Sequence, residues 1–313
     1  MLCTQETPIT HLTQLKNLMR IHSIHIKSDY IIEYLNKISV ISIRDLEHIP
    51  YFRFLIAREF ESMFQIKDIL LEILNDYNTG ALLLNLNNDL NEEHYVKLST
   101  AISHLLGIPD IDPLSGKYYA TFTVTHTGKQ LPSLLRPYET FKMHTDGAYM
   151  KKIPDWIFFM KMAEVGVTGG QSRLLHIEDW NEFDYFYHHP ANKNKIKFFS
   201  HPDSNTTTQR HPTDPDKNNF VYSSILDLHD SYKSIRFIDR FMHPNNLAEA
   251  EFIFELQSSL ENNNAILEVN IPVGSMLIVN NHHWLHGRKQ FQINETLNRK
   301  LMRQRGQFIE YNK

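Results

Sequence analysis

The hydrophobic pattern changes character part-way along the chain. From Thr10 to about Tyr77, apolar residues recur every three to four positions in LTQLKNLM, DYIIEYLNKI, FLIAREFESMF and KDILLEILNDY. That spacing places them on one face of amphipathic helices, so residues 1 to about 78 are expected to form a helical N-terminal part. TGALLLNL then reads as a buried strand. Asn91 ahead of Glu92 and Glu93 is an N-cap followed by acids that suit the helix dipole, and it opens a helix over EEHYVKLSTAISHLL that Gly107 ends.

Beyond Gly107 the apolar runs shorten to KYYATFTVT, DWIFFMKMA, QSRLLHI, KIKFF, SIRFIDRF, AILEVNI, SMLIVNN and LMRQRGQFI. Turns rich in Gly, Pro and Asn separate them, Pro272-Val273-Gly274 among them. Helices are expected at about 178–187 and 247–262, the second with a 3.6-residue period in LAEAEFIFELQSSL. Many short strands with few helices predict an antiparallel sandwich or barrel over about 79–313. The polar stretch HPDSNTTTQRHPTDPDKNN, 201–219, reads as a long loop and a candidate lid. No repeat or linker divides the sequence, so 1–313 is expected to be one domain with helical decoration.

Composition narrows the partners. Thirty-two Lys and Arg against 36 Asp and Glu give a net charge of −4 with no basic stripe, which argues against a nucleic-acid or anionic-membrane surface and favours small soluble partners. Cys3 is the single cysteine, excluding an intrachain disulfide and a cysteine-based zinc site. With no signal-peptide layout in MLCTQETPIT and no apolar run of transmembrane length, a reducing, cytoplasmic location is expected.

The candidate chemistry lies in the second half. In a strand, LMRQRGQF points Leu301, Arg303, Arg305 and Gln307 one way and Met302, Gln304 and Phe308 the other. Two arginines on one inward face suit bidentate capture of small acids, but taken alone they read more readily as partners of internal Asp or Glu or as solvent-facing residues. A mononuclear iron(II) site needs two His and one carboxylate on one side of the metal. His-x-Asp at a strand end supplies two of these, yet about two such matches arise by chance in a chain this rich in histidine. Three are present: His144-Thr145-Asp146, His176-Ile177-Glu178 and His201-Pro202-Asp203. His144-Thr145-Asp146 is followed by Gly147, which leaves room at a metal, and His286, after the strand SMLIVNN, is its distal partner. His176 with Glu178 reads as a structural pair, His201 with Asp203 falls in the loop, and His282 and His283 read as packing or solvent-facing residues.

Taken together, HTDG, GGQSRLLHIEDW, SIRFIDRF, NNHHWLHGR and LMRQRG resemble the glutarate 2-hydroxylase (CsiD/GlaH) family of iron(II)- and 2-oxoglutarate-dependent oxygenases, of the clavaminate-synthase-like group. The resemblance runs from about Gly80 to Phe308. It implies an α+β fold with a double-stranded β-helix (jelly-roll, cupin-like) core and flanking helices, and iron held by His144, Asp146 and His286. It also implies 2-oxoglutarate anchored by Arg305 and Ser172, and the substrate's remote carboxylate held by Arg303. The implied reaction consumes 2-oxoglutarate and O2 and converts glutarate to (S)-2-hydroxyglutarate, with release of succinate and CO2, in lysine breakdown by a homotetramer. Thr145 stands where the family often has Asn, and Thr121 where a basic residue is expected. Tyr118 and Tyr119 are candidate pocket residues or core, and Arg288 a candidate orienter of the site or a structural ion pair. The alternatives are the same chemistry on another small carboxylic or amino acid, and a non-catalytic barrel that senses a metal or organic acid.

Overall fold

The first residues follow strand logic. In the computed structural model, which describes residues 8–14, 20–86, 90–112, 115–127, 135–199, 220–229 and 231–309, β1 (Ile9–Gln14) pairs antiparallel with β2 (Ile21–Ile26). LTQLKNLM therefore starts as strand, against the helix its spacing suggests. The β-branched Ile21, Ile24 and Ile26 commit β2 to a sheet, and β1 covers the edge of β2. Helices begin only at Ser28, with α1 (Ser28–Lys37), α2 (Ile43–His48), α3 (Pro50–Phe64) and α4 (Lys67–Asn75). A capping box starts α2: Ser42 Oγ accepts from the Asp45 amide at 3.2 Å and the Asp45 carboxylate accepts from the Ser42 amide at 3.0 Å.

Strand β3 (Ala81–Asn85) and helix α5 (Glu92–Leu106) follow as expected, Asn91 accepting from the His94 amide at 2.9 Å. The later strands are β4 (Gly107–Pro109), β5 (Ala120–Thr125), β6 (Phe141–His144), β7 (Trp156–Val165), β8 (Ser172–His176), β9 (Ile196–Phe199) and β10 (Phe220–Ser223). After them come β11 (Leu226–His229), β12 (Tyr232–Ile235), β13 (Met242–His243), β14 (Leu267–Val269), β15 (Ser275–Asn280), β16 (Trp284–Arg288) and β17 (Asn298–Phe308). Only the start of SIRFIDRF is strand, because Asp239–Phe241 turns as a short 3-10 helix. The helix expected at 178–187 divides into a 3-10 turn, Ile177–Asp179, and α6 (Phe183–His188); α7 (Leu247–Glu261) is continuous. Pro272-Val273-Gly274 joins β14 to β15, with the Ser275 amide donating to the Pro272 carbonyl at 3.0 Å.

Two sheets position the site. One has eight strands in the order β1-β2-β3-β15-β7-β17-β4, with β5 also on β17; the other has four in the order β14-β8-β16-β6. Strand alternation sorts their side chains into layers. Phe158, Met160, Met276, Ile278 and Met302 face the helices, in one core with Tyr34, Phe60, Leu98 and Ile102. Ile157, Leu277 and Val279 face inward, against Leu174, Val269 and Trp284 of the smaller sheet. That sheet's outer face, through Met143, Leu175 and Leu285, packs on α6 and α7. Among the described residues no helix is long and apolar enough to cross a membrane. The proposed lid at 201–219, with His201 and Asp203, lies outside the described residues.

Candidate metal centre and acid-binding cavity

His144 ends β6 and His286 sits at the middle of β16, and the two strands pair with these residues directly opposite each other. Asp146 follows two residues after His144, and one ligand atom from each of the three lies within 4.8 Å of the others. All three are buried. Gly287 allows this approach, since a Cβ there would meet the Phe141 carbonyl at 2.5 Å. Gly147 has a different role from the one its place in HTDG suggests. Its φ is +69° and a Cβ would strike Pro154 at 2.6 Å, so it shapes the turn after Asp146.

Neighbouring groups fix these side chains. His144 Nδ1 lies 2.8 Å from the Lys142 carbonyl, which can only accept, so this nitrogen carries the proton and Nε2 keeps its lone pair for a metal. Thr145 is bound on both sides: its amide donates to the Phe237 carbonyl at 2.8 Å and its hydroxyl accepts from the Phe237 amide at 2.9 Å. Asn281, fully buried, was not singled out from the sequence. Its Oδ1 accepts from the Asp146 amide at 2.9 Å, and its Nδ2 donates to the Asp146 and Pro154 carbonyls, each at 2.9 Å. Burial alone would raise the Asp146 carboxyl, but Arg303, Arg305 and the two histidines overcome it and hold the group far below the usual range. Burial lowers both imidazoles, His286 strongly. Neutral imidazoles and an ionised carboxylate form the donor set of a divalent metal, and His286 Nδ1 is buried with no hydrogen-bond partner among the described residues.

A cavity opens beside this group between the sheets. Phe122, Val124, Phe141, Phe159, Leu174 and Leu301 supply its apolar wall. Ser172, Arg288, Arg299 and Arg303 supply polar groups beside His144 and His286, and no Asp or Glu is among the lining residues. Ser172 pairs in register with Arg288. Arg299 donates to the Gly170 carbonyl, while Arg288 donates to the carbonyls of Arg136 and, at 3.3 Å, Glu139. Burial lowers both guanidiniums to about 10, with their mutual repulsion adding to the effect on Arg288. Ser172, Arg288 and Arg299 therefore form an electropositive corner.

Arg303 and Arg305 share a face, as the alternation of β17 requires, but they meet acids of the chain. Arg303 donates to Asp112 Oδ2 at 2.6 Å and to Asp146 Oδ1 at 3.3 Å. Arg305 donates to Asp146 Oδ2 at 2.7 Å and does not line the cavity. Arg305 is thus engaged by Asp146, while Arg299 lines the cavity together with Ser172. Continuing the same alternation two residues upstream of Leu301 would have found it.

The other candidates fall outside the centre. His176 Nε2 donates to the Tyr77 carbonyl at 2.9 Å and Tyr77 donates to Glu178, a structural cluster that also packs His283. His282 bonds Asp155 at 2.9 Å. Tyr118 lies in the core on the helix side, its hydroxyl 2.8 Å from that of Thr100, and Tyr119 bonds Glu47 at 2.5 Å. Thr121 is exposed, on the face of β5 opposite Phe122 and Val124, so this departure from the family leaves the cavity lining unchanged.

Comparison with known proteins agrees with this geometry. The chain is 32% identical over 282 residues to a glutarate 2-hydroxylase of Citrobacter koseri, an alignment that spans 88% of this chain and 83% of that protein. Its fold matches that of an asparagine oxygenase solved with Fe(II), 2S,3S-3-hydroxyasparagine and succinate, at TM-score 0.70 and 13% identity, covering 90% of this chain and 93% of that one. It also matches the non-heme iron oxygenase OrfP solved with Fe and alpha-ketoglutaric acid, at TM-score 0.64 and 13% identity, covering 90% and 94%. With the CsiD family matching residues 10–308, nearly its whole length, this chain belongs to the CsiD family.

Proposed function

We propose that this chain hydroxylates glutarate at C2 to (S)-2-hydroxyglutarate, using iron(II), consuming 2-oxoglutarate and O2 and releasing succinate and CO2. The observation that carries this reading is a cavity beside the His-Asp-His group lined by three guanidiniums and no carboxylate. An amino acid would bring an ammonium group into a lining without an anion for it, at a heavy desolvation penalty. A dicarboxylate meets arginines suited to both ends. The identity to a glutarate 2-hydroxylase supports the same substrate.

His144, Asp146 and His286 would hold the iron, leaving one side of it for a 2-oxo acid and O2. When bound, the metal supplies O2 activation coupled to decarboxylation of the 2-oxo acid. The chain supplies position. Arg299 with Ser172 takes the far carboxylate of 2-oxoglutarate, and Arg303 takes the remote carboxylate of glutarate. These arginines stand four residues apart on β17, about 13 Å along the strand, so the two acids are fixed at separate points. Phe122, Phe159 and Leu301 keep water from the reacting carbon. Arg305 holds Asp146.

We further read the two facing sheets as a double-stranded β-helix, and residues 1–313 as one domain in which β2 and β3 join the N-terminal part to the larger sheet. A cytoplasmic homotetramer acting in lysine-derived glutarate breakdown fits the single cysteine and the family. The test is product analysis with iron-loaded protein. One (S)-2-hydroxyglutarate per succinate supports the reading; a hydroxylated product from a different acid, with glutarate untouched, replaces the substrate.

A further inference from the structure

Asp112, Arg303, Asp146 and Arg305 form a continuous chain of alternating charge beside the metal group. Its contacts are unequal. Arg303 holds Asp112 at 2.6 Å and Arg305 holds Asp146 at 2.7 Å, while the link between Arg303 and Asp146 is stretched to 3.3 Å. Arg303 Nε is buried without a hydrogen-bond partner among the described residues, and the guanidinium lies over the Phe122 ring at 5.0 Å, in the cavity wall. Arg303 therefore has one strong anchor, one weak contact to a metal-ligand oxygen and an unused donor.

We propose that Arg303 couples acid binding to metal binding: it exchanges its Asp146 contact for the substrate's remote carboxylate and so releases that oxygen to the metal. The proposal rests on the substrate reading above. A divalent ion at Asp146 meets Arg303 as a like charge close by in a poorly solvated site, where such repulsion is strong. A carboxylate on Arg303 cancels that charge and draws the side chain from the ligand oxygen. Asp112 keeps Arg303 in place throughout, and Arg305 keeps Asp146 oriented. Linkage then requires that each ligand tighten the other by the same factor.

Mn(II) binding to the full-length protein, followed by the electron paramagnetic resonance of free Mn(II) with and without saturating glutarate and with no 2-oxoglutarate, tests this directly. Glutarate is expected to tighten Mn(II) by about tenfold to a hundredfold, within the usual range of such couplings, and Mn(II) to tighten glutarate equally by calorimetry. Arg303→Gln should bind Mn(II) more tightly than wild type without glutarate and show no coupling. Because that change leaves Asp112 buried without its cation, Arg303→Gln/Asp112→Asn removes the pair as a unit, and it too should lose the coupling while melting cooperatively. Equal Mn(II) affinity with and without glutarate, where calorimetry shows glutarate bound, overturns the proposal and leaves the substrate reading standing. Full coupling in the double variant also overturns it, since glutarate would then be contacting the metal directly. If wild-type protein binds no glutarate with or without Mn(II), the substrate reading falls and the proposal with it.

Discussion

Asn281 and Asp146 are joined reciprocally: the Asn281 side chain accepts from the Asp146 amide and donates to the Asp146 carbonyl, each at 2.9 Å. One amide thus locks the backbone that presents the Asp146 carboxylate, from the turn that leads into His286. Asn281→Ala strands three buried backbone groups, counting the Pro154 carbonyl. The expected loss is about tenfold to a hundredfold in divalent-metal affinity, the range for partners that orient ligands, with a lowered melting temperature. Co(II) titration beside a thermal melt checks both; unchanged metal affinity would remove Asn281 from the site.

Arg299, Arg303 and Arg305 of β17 should separate kinetically. Arg299→Gln is expected to raise the 2-oxoglutarate requirement by roughly 2–4 kcal/mol of lost charge-assisted binding, with a smaller effect on glutarate. Arg303→Gln should act chiefly on glutarate. Arg305→Gln should act through Asp146, weakening metal retention more than either acid. Initial rates across both acids, with metal content measured on the same preparations, distinguish the three. A selective 2-oxoglutarate defect in Arg305→Gln would return the cosubstrate to that residue.

Gly147→Ala tests the turn after Asp146. The positive φ disfavours any side chain by about 1–2 kcal/mol, and the contact with Pro154 adds to that. Loss of stability by chemical denaturation should accompany weaker metal binding; a fully stable variant would show that the turn relaxes freely.

Stability should fall on mild acidification. Burial pushes His104 down to about 4, against its hydrogen bond to the Thr100 carbonyl and with a smaller push from Arg53. Its folded pKa lies below the unfolded value of about 6.5, so between these values the unfolded chain takes up a proton that the folded chain refuses. The stability due to neutral His104 is complete above that window and drains as pH falls through it. Unfolding free energies from urea melts should drop less between pH 7 and pH 4.5 in His104→Asn than in wild type, by about 1–3 kcal/mol at most.

What could be read in the sequence divides along physical lines. Period-two alternation placed Arg303 and Leu301 on the inner face of β17 and Met302 on the opposite one, since alternation is local. The grouping of His144 and Asp146 with His286 was legible because HTDG sits at a strand end and His286 follows the apolar strand SMLIVNN. The pairing of Arg305 with Asp146 was not legible, because the two lie 159 residues apart and no local pattern reveals a tertiary ion pair. Asn281 went unnoticed beside the histidines that drew attention. LTQLKNLM carried a helical spacing, and the need to cover β2 decided its start as strand.

Succinate formation from 2-oxoglutarate by iron-loaded protein, with glutarate compared against L-glutamate, is the most direct measurement. The two acids differ by one ammonium group at C2, which the cavity lining leaves without an anion. Glutarate should stimulate succinate release well above the rate without substrate, and L-glutamate should not. Equal stimulation by both, or none by glutarate, would contradict a cavity built for two dicarboxylates.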